Sequence, residues 1–598
     1  MQNLLHNLEQ LFADKPEYMV DGKLIKNKVI EHALAMDGDL LGLLLSDPVI
    51  KEHFFVSVGK TLIFDKIKFQ NFVSNKAFLP NSYTAYKNKI GLVDKRGDSF
   101  IHNKDVVLTW AYKDCVLEGG QDKEDAKRDE IFYNETLAPD DITRLYDAKV
   151  LTGFEKWDKE SVKTNKAKPV TKFNRNEHGV ITDNLLVKGN NLLALHTLKS
   201  EFANKVNLIY IDPPFNTGND SFGYNDSFSR STWLTFMRNR LIVARQLLAE
   251  DGNIFIHIDI NQGHYLKVIC DEIFDEKNFV EEIIWSYGSP SGGRAASAKP
   301  VNIHDYILHY AKNYSQRKAN KVYIPYSQKY IEDWFKYTDE DGRRYQKRQR
   351  GKDSDGNAIW EKQYLDESKG VPLSTVWTDI KQIYADPRAY KDNQSAHTEL
   401  IKEFVGGQKP EHLLKRIIEM CTDEGDLVLD YHAGTGTTLA AAHKMNRRWI
   451  GVEQLDYIKN MPEARLKTVI AGNQVGISEE VGWTGGGEFI YCTLMQWNEA
   501  FVPRILEATT EKDLQAIYNQ MKEKAVLHYD FNPEEHGNLE LSELPLEEQK
   551  AVLLELLNKN HLYVLQSEID DKKFAVSEDD KKLNRDFFKK LYSEWNNK

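Results

Sequence analysis

The 598-residue sequence predicts an α/β fold built on a doubly wound parallel sheet, and three stretches carry that prediction. From Leu185 to Phe215, LLVKGNNLLALHTLKSEFANKVNLIYIDPPF reads as strand, turn, helix and second strand, Val206 to Ile211, with an abrupt stop at Asp-Pro-Pro. A helical period from about Trp233 to Ala249, closed by Glu-Asp-Gly and the run NIFIHI, repeats the step from helix to strand. From Asp426, DLVLDYHAGTGTTLAAAHKMNRRWIGVEQ gives strand, glycine loop, helix, strand and an acidic end. Strands that alternate with helices pair in parallel through right-handed crossovers.

The flanks read differently. Residues 1–165 open with leucines at helical spacing and the run NKVIEHALAMDGDLLGLLLSDPVIKEHFF, broken at Ser-Asp-Pro, which predicts an α-rich N-terminal domain. The α/β core then falls into a catalytic half, 166–300, and a cofactor half, 401–475, separated by an insert at 301–400 with scattered aromatics and no sustained period. From 286 to 350 there are 13 Lys and Arg against 6 Asp and Glu, a basic patch in a chain of net charge −12. Residues 476–598 form an acidic C-terminal domain, with 14 Lys and Arg against 24 Asp and Glu beyond 475; it suits a dimer or partner contact and repels a phosphate backbone.

Composition excludes several classes. A hydrophobic content of 41% with 11% aromatics is too high for a disordered chain, and no apolar run approaches the roughly 20 residues that span a bilayer. Cys115, Cys270, Cys421 and Cys492 lie far apart without metal-ligand spacing, so reduced thiols and no metal site are expected. Charges within the first turns exclude a secretory h-region and point to the cytoplasm.

Two motifs carry chemistry. Asp430-Tyr-His-Ala-Gly434-Thr-Gly436-Thr-Thr438 follows a buried-type strand and opens a helix, where glycines admit a ligand to the backbone and the helix N-terminus favours its negative groups. It is not a Walker A loop, for no Lys-Ser/Thr closes it. About 20 residues on, the next strand ends in Glu453, placed to grip the two hydroxyls of a ribose. Asp212-Pro213-Pro214-Phe215 ends the other apolar strand at the carboxyl edge where such folds bind ligands. Its prolines fix φ and leave carbonyls free to accept. A rigid acceptor pair beside an aromatic ring suits a flat base with an exocyclic amine. If Asp212 and the Pro213 carbonyl accept the two N–H bonds, the nitrogen pyramidalises and its lone pair can aim at an electrophilic methyl group, while Phe215 would stack on the ring. The base must leave its helix to get there.

With those residues in place the sequence resembles a family: the β-class amino DNA methyltransferases, specifically the modification (Mod) subunits of type III restriction-modification systems. DPPF matches the family's catalytic [D/N/S]PP[Y/F] motif, with Asp in first place as in adenine-N6 enzymes. HAGTGTT matches FxGxG, and Gln408-Lys409-Pro410 matches the KP that precedes it; catalytic before cofactor motif is the permuted β-class order. The runs KDCVLEGGQDKEDAKRDEIFYNETLA, HDYILHYAKN and GWTGGGEF also look like Mod sequence. The resemblance implies S-adenosylmethionine as cofactor, sequence-specific methylation of adenine N6 in duplex DNA, a restriction (Res) subunit as partner and a homodimer. It implies a catalytic role for Asp212, Pro213, Pro214 and Phe215. Cofactor contacts fall on Asn190, Asn191, Lys409, Pro410, Asp430, His432, Gly434, Gly436, Thr437, Thr438 and Glu453. Gly189-Asn190-Asn191 stands where the family has Gly-Asp-Asn, and His432 where it has Phe.

Arg343, Arg344, Lys347, Arg348 and Arg350, amid Tyr323, Tyr326, Tyr330, Trp334, Tyr337 and Tyr345, mark the insert as the DNA-recognition element. Trp233, Phe236, Met237 and Arg240 read as helix core, and Cys115 with Glu118 as a structural turn. The alternatives are an orphan adenine or cytosine-N4 DNA methyltransferase and, from another class, an inactive recognition and assembly subunit.

Overall fold

The computed structural model describes residues 7–73 apart from short gaps, 115–117, 132–134, 144–216, 229–286, 300–383, 408–527 and 545–596. The chain divides into two compact units, Met1–Leu108 and Thr109–Lys598. The first joins helices Lys26–Leu34, Gly38–Ser46, Pro48–Phe54 and Lys66–Val73 to two short hairpins around Phe12, Tyr18, Leu40, Leu44, Ile50, Phe54 and Phe69. The expected break at Ser-Asp-Pro is a helix start: Asp47 accepts from the amides of Val49 and Ile50, with Pro48 in the first turn.

The second unit holds a ten-stranded sheet. In chain order its strands are β1 (Leu151–Asp158), β2 (Leu185–Lys188), β3 (Val206–Ile211), β4 (Leu248–Ile258), β5 (Phe279–Ser286), β6 (His304–Ala311), β7 (Val376–Trp377), β8 (Leu427–Asp430), β9 (Arg448–Glu453) and β10 (Glu488–Leu494). The spatial order is β7-β5-β6-β4-β3-β8-β9-β2-β10-β1. Six neighbours, β4-β3-β8-β9-β2-β10, are parallel. Helices α1 (Asn191–Phe202), α2 (Arg230–Leu247) and α3 (Gly263–Phe274) pack in series, as do α4 (Glu411–Cys421), α5 (Thr437–Lys444) and α6 (Pro462–Ala471). From the adjacent strands β3 and β8 the chain runs in opposite directions, through α2 to β4 and through α5 to β9. Right-handed crossovers then put α2 and α5 on opposite faces, and the strand order switches between β3 and β8. β3 and β8 are buried almost throughout, which is why both read as mainly apolar runs.

The expected boundaries fall elsewhere. β1, assigned by sequence to the N-terminal domain, and β10, assigned to the acidic tail, pair antiparallel at one edge of the sheet. β6 and β7, assigned to the insert, also belong to it, β6 lying between β5 and β4. The reason lies in pairing: a sheet recruits any strand that satisfies its edge, whatever the local charge of its segment. What projects from the insert is a small three-stranded sheet, Tyr337–Thr338, Arg344–Lys352 and Ala358–Tyr364.

Candidate active site

Three neighbouring parallel strands end in carboxylates at the point where the strand order switches. Asp212 follows β3, Asp430 ends β8 and Glu453 ends β9. Glu453 is buried, taking the Gly434 amide on Oε2 at 2.8 Å and the Gln454 and Leu455 amides on Oε1 at 2.9 and 3.0 Å. Asp430 is also buried and accepts from the His432 amide at 2.9 Å and from Thr438. Burial pushes both carboxyls up to about 7, and for Asp430 the nearby Asp212 and Glu453 charges add to the effect. Buried acids at the mouth of a sheet, with no cationic side chain bonded to them among the described residues, fit a positively charged ligand.

The glycine loop is shaped for close approach. Gly436 stands at φ +76°, and a Cβ on it would lie 2.9 Å from Cβ of Pro462. Thr437, the first residue of α5, accepts from Arg465 Nη1 at 2.8 Å, and Arg465 also reaches buried Glu411 at 2.8 Å. Glu411 pairs with Lys444 at 2.6 Å as well. A buried charge network therefore ties α4, α5 and α6 together around the loop. These residues fit S-adenosylmethionine: a glycine cradle for its amino-acid part, a strand-end glutamate for its ribose, and acids for its cationic sulfonium.

The catalytic loop is held from several sides. The Trp233 indole N–H donates to the Pro214 carbonyl at 2.7 Å. Phe215 is stacked on His257, 5.9 Å between centroids and 17° between planes. His257 lies between Tyr210, at 3.0 Å, and Asp305, at 3.0 Å, where the imidazole holds the Asp305 carboxyl below its usual range against burial. The Pro213 carbonyl, expected to accept from the base, follows Asp212 in this loop.

Several of the residues expected at the cofactor make contacts within the fold. Lys409, expected at the cofactor, donates to Asp212 Oδ2 at 2.7 Å, and its ammonium lies 5.0 Å from the Phe215 ring centroid. Pro410 caps the start of α4. Asn190 caps α1, its Oδ1 accepting from the Leu192 and Leu193 amides. Asn191 is spent inside the fold, donating to the Tyr431 carbonyl at 2.9 Å and accepting from Arg240 Nε at 2.7 Å. His432 is half-buried, its ring centroid 6.0 Å from that of Phe236. Cys115 and Glu118 have no described side chains.

On the insert, Arg343 is engaged by Asp366 and Glu367, Arg344 by the Phe335 and Ile331 carbonyls, and Arg350 by Glu361. Arg348 stands opposite Glu361 in register. Lys347 lies on the other face, where the cross-strand pairs are Tyr345 with Tyr364, Lys347 with Lys362 and Gln349 with Trp360. That face carries no carboxylate among its paired residues, and Trp360 is 60% exposed. Sequence reasoning missed Lys362 and Trp360, whose face depends on register, and the Tyr210–His257–Asp305 chain. It saw Trp233 and read it as core.

Comparison with known proteins agrees with this architecture. Residues 206–463 match the family described as DNA methylase, and residues 37–92 match the type III restriction/modification enzyme methylation subunit. Fold and site thus define a DNA methyltransferase. The chain is 34% identical, over 94% of its length and 95% of the relative's, to a protein described as a probable type III restriction-modification enzyme HindVI Mod subunit from Haemophilus influenzae. It is 29% identical to the EcoP15I Mod subunit of Escherichia coli, over 46% of this chain and 58% of that one. A solved structure that it matches is the PvuII DNA methyltransferase (cytosine-N4-specific), at 15% identity and a TM-score of 0.32, over 52% of this chain and 94% of that one. The chain belongs to the Mod subunits of type III restriction-modification enzymes.

Proposed function

We propose that this Mod subunit methylates N6 of a flipped adenine at a specific site in duplex DNA, using S-adenosylmethionine, and supplies recognition to a Res subunit. The observation that carries the reading is the Asp212-Pro213-Pro214-Phe215 loop, braced by Trp233 and His257 beside the acids Asp430 and Glu453. Asp430, His432, Gly434, Gly436, Thr437, Thr438 and Glu453 hold the cofactor, which when bound supplies an electrophilic methyl group. Asp212 and the Pro213 carbonyl accept from the exocyclic amine and keep its lone pair out of conjugation, while Phe215 packs on the ring. After transfer the proton leaves the amine for Asp212.

DNA recognition falls to the face of the insert sheet bearing Lys347, Lys362, Gln349 and Trp360. Arg343, Arg344 and Arg350 are engaged by partners within the insert, Arg343 and Arg350 through ion pairs at its surface. A homodimer follows the family reading, as does cytoplasmic work on cellular DNA. No helix among the described residues is long and apolar enough to cross a membrane. Expression in a non-methylating host, followed by methylation-sensitive long-read sequencing, reports base, motif and strand together; N4-methylcytosine in place of N6-methyladenine would overturn the adenine assignment. In the same assay Asp212→Ala should lower methyl transfer about 10²–10⁴-fold while cofactor binding persists. Full modification by that variant would remove Asp212 from the chemistry.

A further inference from the structure

Lys409 stands where the target amine has to be. Its ammonium donates to Asp212 Oδ2 at 2.7 Å, the contact assigned above to the amine of the base, and lies 5.0 Å from the centroid of the Phe215 ring, on which the base itself packs. Phe215 is backed by His257, itself fixed by Tyr210 and Asp305, so the ring is not free to turn away from a competing occupant. Base and ammonium compete for one place.

We propose that Lys409 is an internal stand-in for the base amine: it fills the base subsite of the free protein and swings out when the flipped adenine enters. This rests on the reading of Asp212 and Phe215 as the pair that holds the base. Charge favours displacement over coexistence. The amine nitrogen gains positive charge as it is methylated and keeps it until a proton passes to Asp212. An ammonium still bound to that carboxylate would repel the developing cation and weaken the carboxylate as proton acceptor.

The local structure lets the side chain move without the backbone. Pro410 fixes the next φ, and Glu411 beyond it is buried and paired with Lys444 and Arg465. Motion therefore falls to the flexible four-carbon stem of the lysine. Its side chain is 12% exposed and that of Asp212 24%, so the pair borders solvent into which the ammonium can withdraw.

The test needs a duplex carrying the site found by sequencing, with 2-aminopurine in place of the modified adenine, so that extrusion is read by fluorescence without methyl transfer. Lys409→Met keeps the length and removes the charge; it should raise the fluorescence of the bound duplex at least threefold over wild type, whereas Lys409→Arg, which can keep the ion pair, should not. The Met variant should also methylate at least threefold faster at subsaturating DNA. Equal fluorescence from Met variant and wild type, or slower methylation by the Met variant, overturns the proposal, because the lysine then serves the loaded site. If thermal melting shows that Lys409→Met does not fold, Lys409→Gln carries the same expectations. An absence of modified adenine in host DNA, or full activity of Asp212→Ala, defeats the base-pocket reading itself, independently of any Lys409 variant.

Discussion

Gly436 and the paired acids Asp430 and Glu453 make the cofactor site sensitive to small changes. At φ +76° any L side chain is strained, and Val at 436 would also drive a Cβ against Pro462. Gly436→Val should therefore lose at least tenfold in S-adenosylmethionine affinity by calorimetric titration, together with about 1–3 kcal/mol of stability; unchanged affinity would place the cofactor elsewhere. The acids predict a pH effect of definite sign. Both carboxyls sit at about 7 in the folded protein, above the roughly 4 of an unfolded chain. Between those values the native state binds more protons than the unfolded one, so the stability of the free protein falls as pH rises from about 4 to about 7. Affinity for the cationic cofactor moves the other way, rising with pH as Asp430 and Glu453 ionise and levelling off above about 7. Titrations at a series of pH values between 5.5 and 8.5, pH units chosen to bracket about 7, check this; a flat profile would mean that neither acid meets the positive charge.

At the level of elements, the small sheet of the insert sorts its cations by face. Lys347→Ala and Lys362→Ala should each lower the salt slope of DNA binding by about 0.9 and weaken binding to all sequences alike. Arg344→Ala removes donors to the Phe335 and Ile331 carbonyls and should act through the fold of the insert, lowering its melting temperature. If Lys347 and Lys362 substitutions leave affinity and slope untouched, that face is only solvated. This sorting explains what the sequence could reveal. The Asp212 and Glu453 ends were readable because a ligand at a sheet edge needs particular residues directly after an apolar strand, so motif and element are adjacent in the chain. How the arginines are engaged was not, since Arg343 is held by Asp366 and Arg350 by Glu361, partners that lie across the hairpin and not beside them in the chain. Lys409 meets Asp212 across 197 residues, a contact that local pattern does not encode. Trp233 was visible at helical spacing, but whether its indole N–H faced apolar core or a carbonyl depended on where the catalytic loop lies.

On the scale of the whole molecule, the acidic C-terminal segment is part of the core. β10 lies between β2 and β1, and Asn584 bonds both the amide and the carbonyl of Leu151 at the start of β1. A chain ending near residue 475 should therefore lose cooperative melting and soluble yield, and not merely a partner contact; a soluble truncation with native circular dichroism would show the last strands to be dispensable. The interleaving also sets a timetable for synthesis. β1 leaves the ribosome 330 residues before its partner β10 begins, about 15–70 s at about 5–20 residues per second. Throughout that interval β1 lacks its ladder partner, with only the Lys156–Lys168 bridge available to it locally, and the sheet edge stays unclosed, an exposure that invites chaperone capture or misassembly. The N-terminal unit, with a core of its own, has no such wait and is free to fold as soon as it emerges.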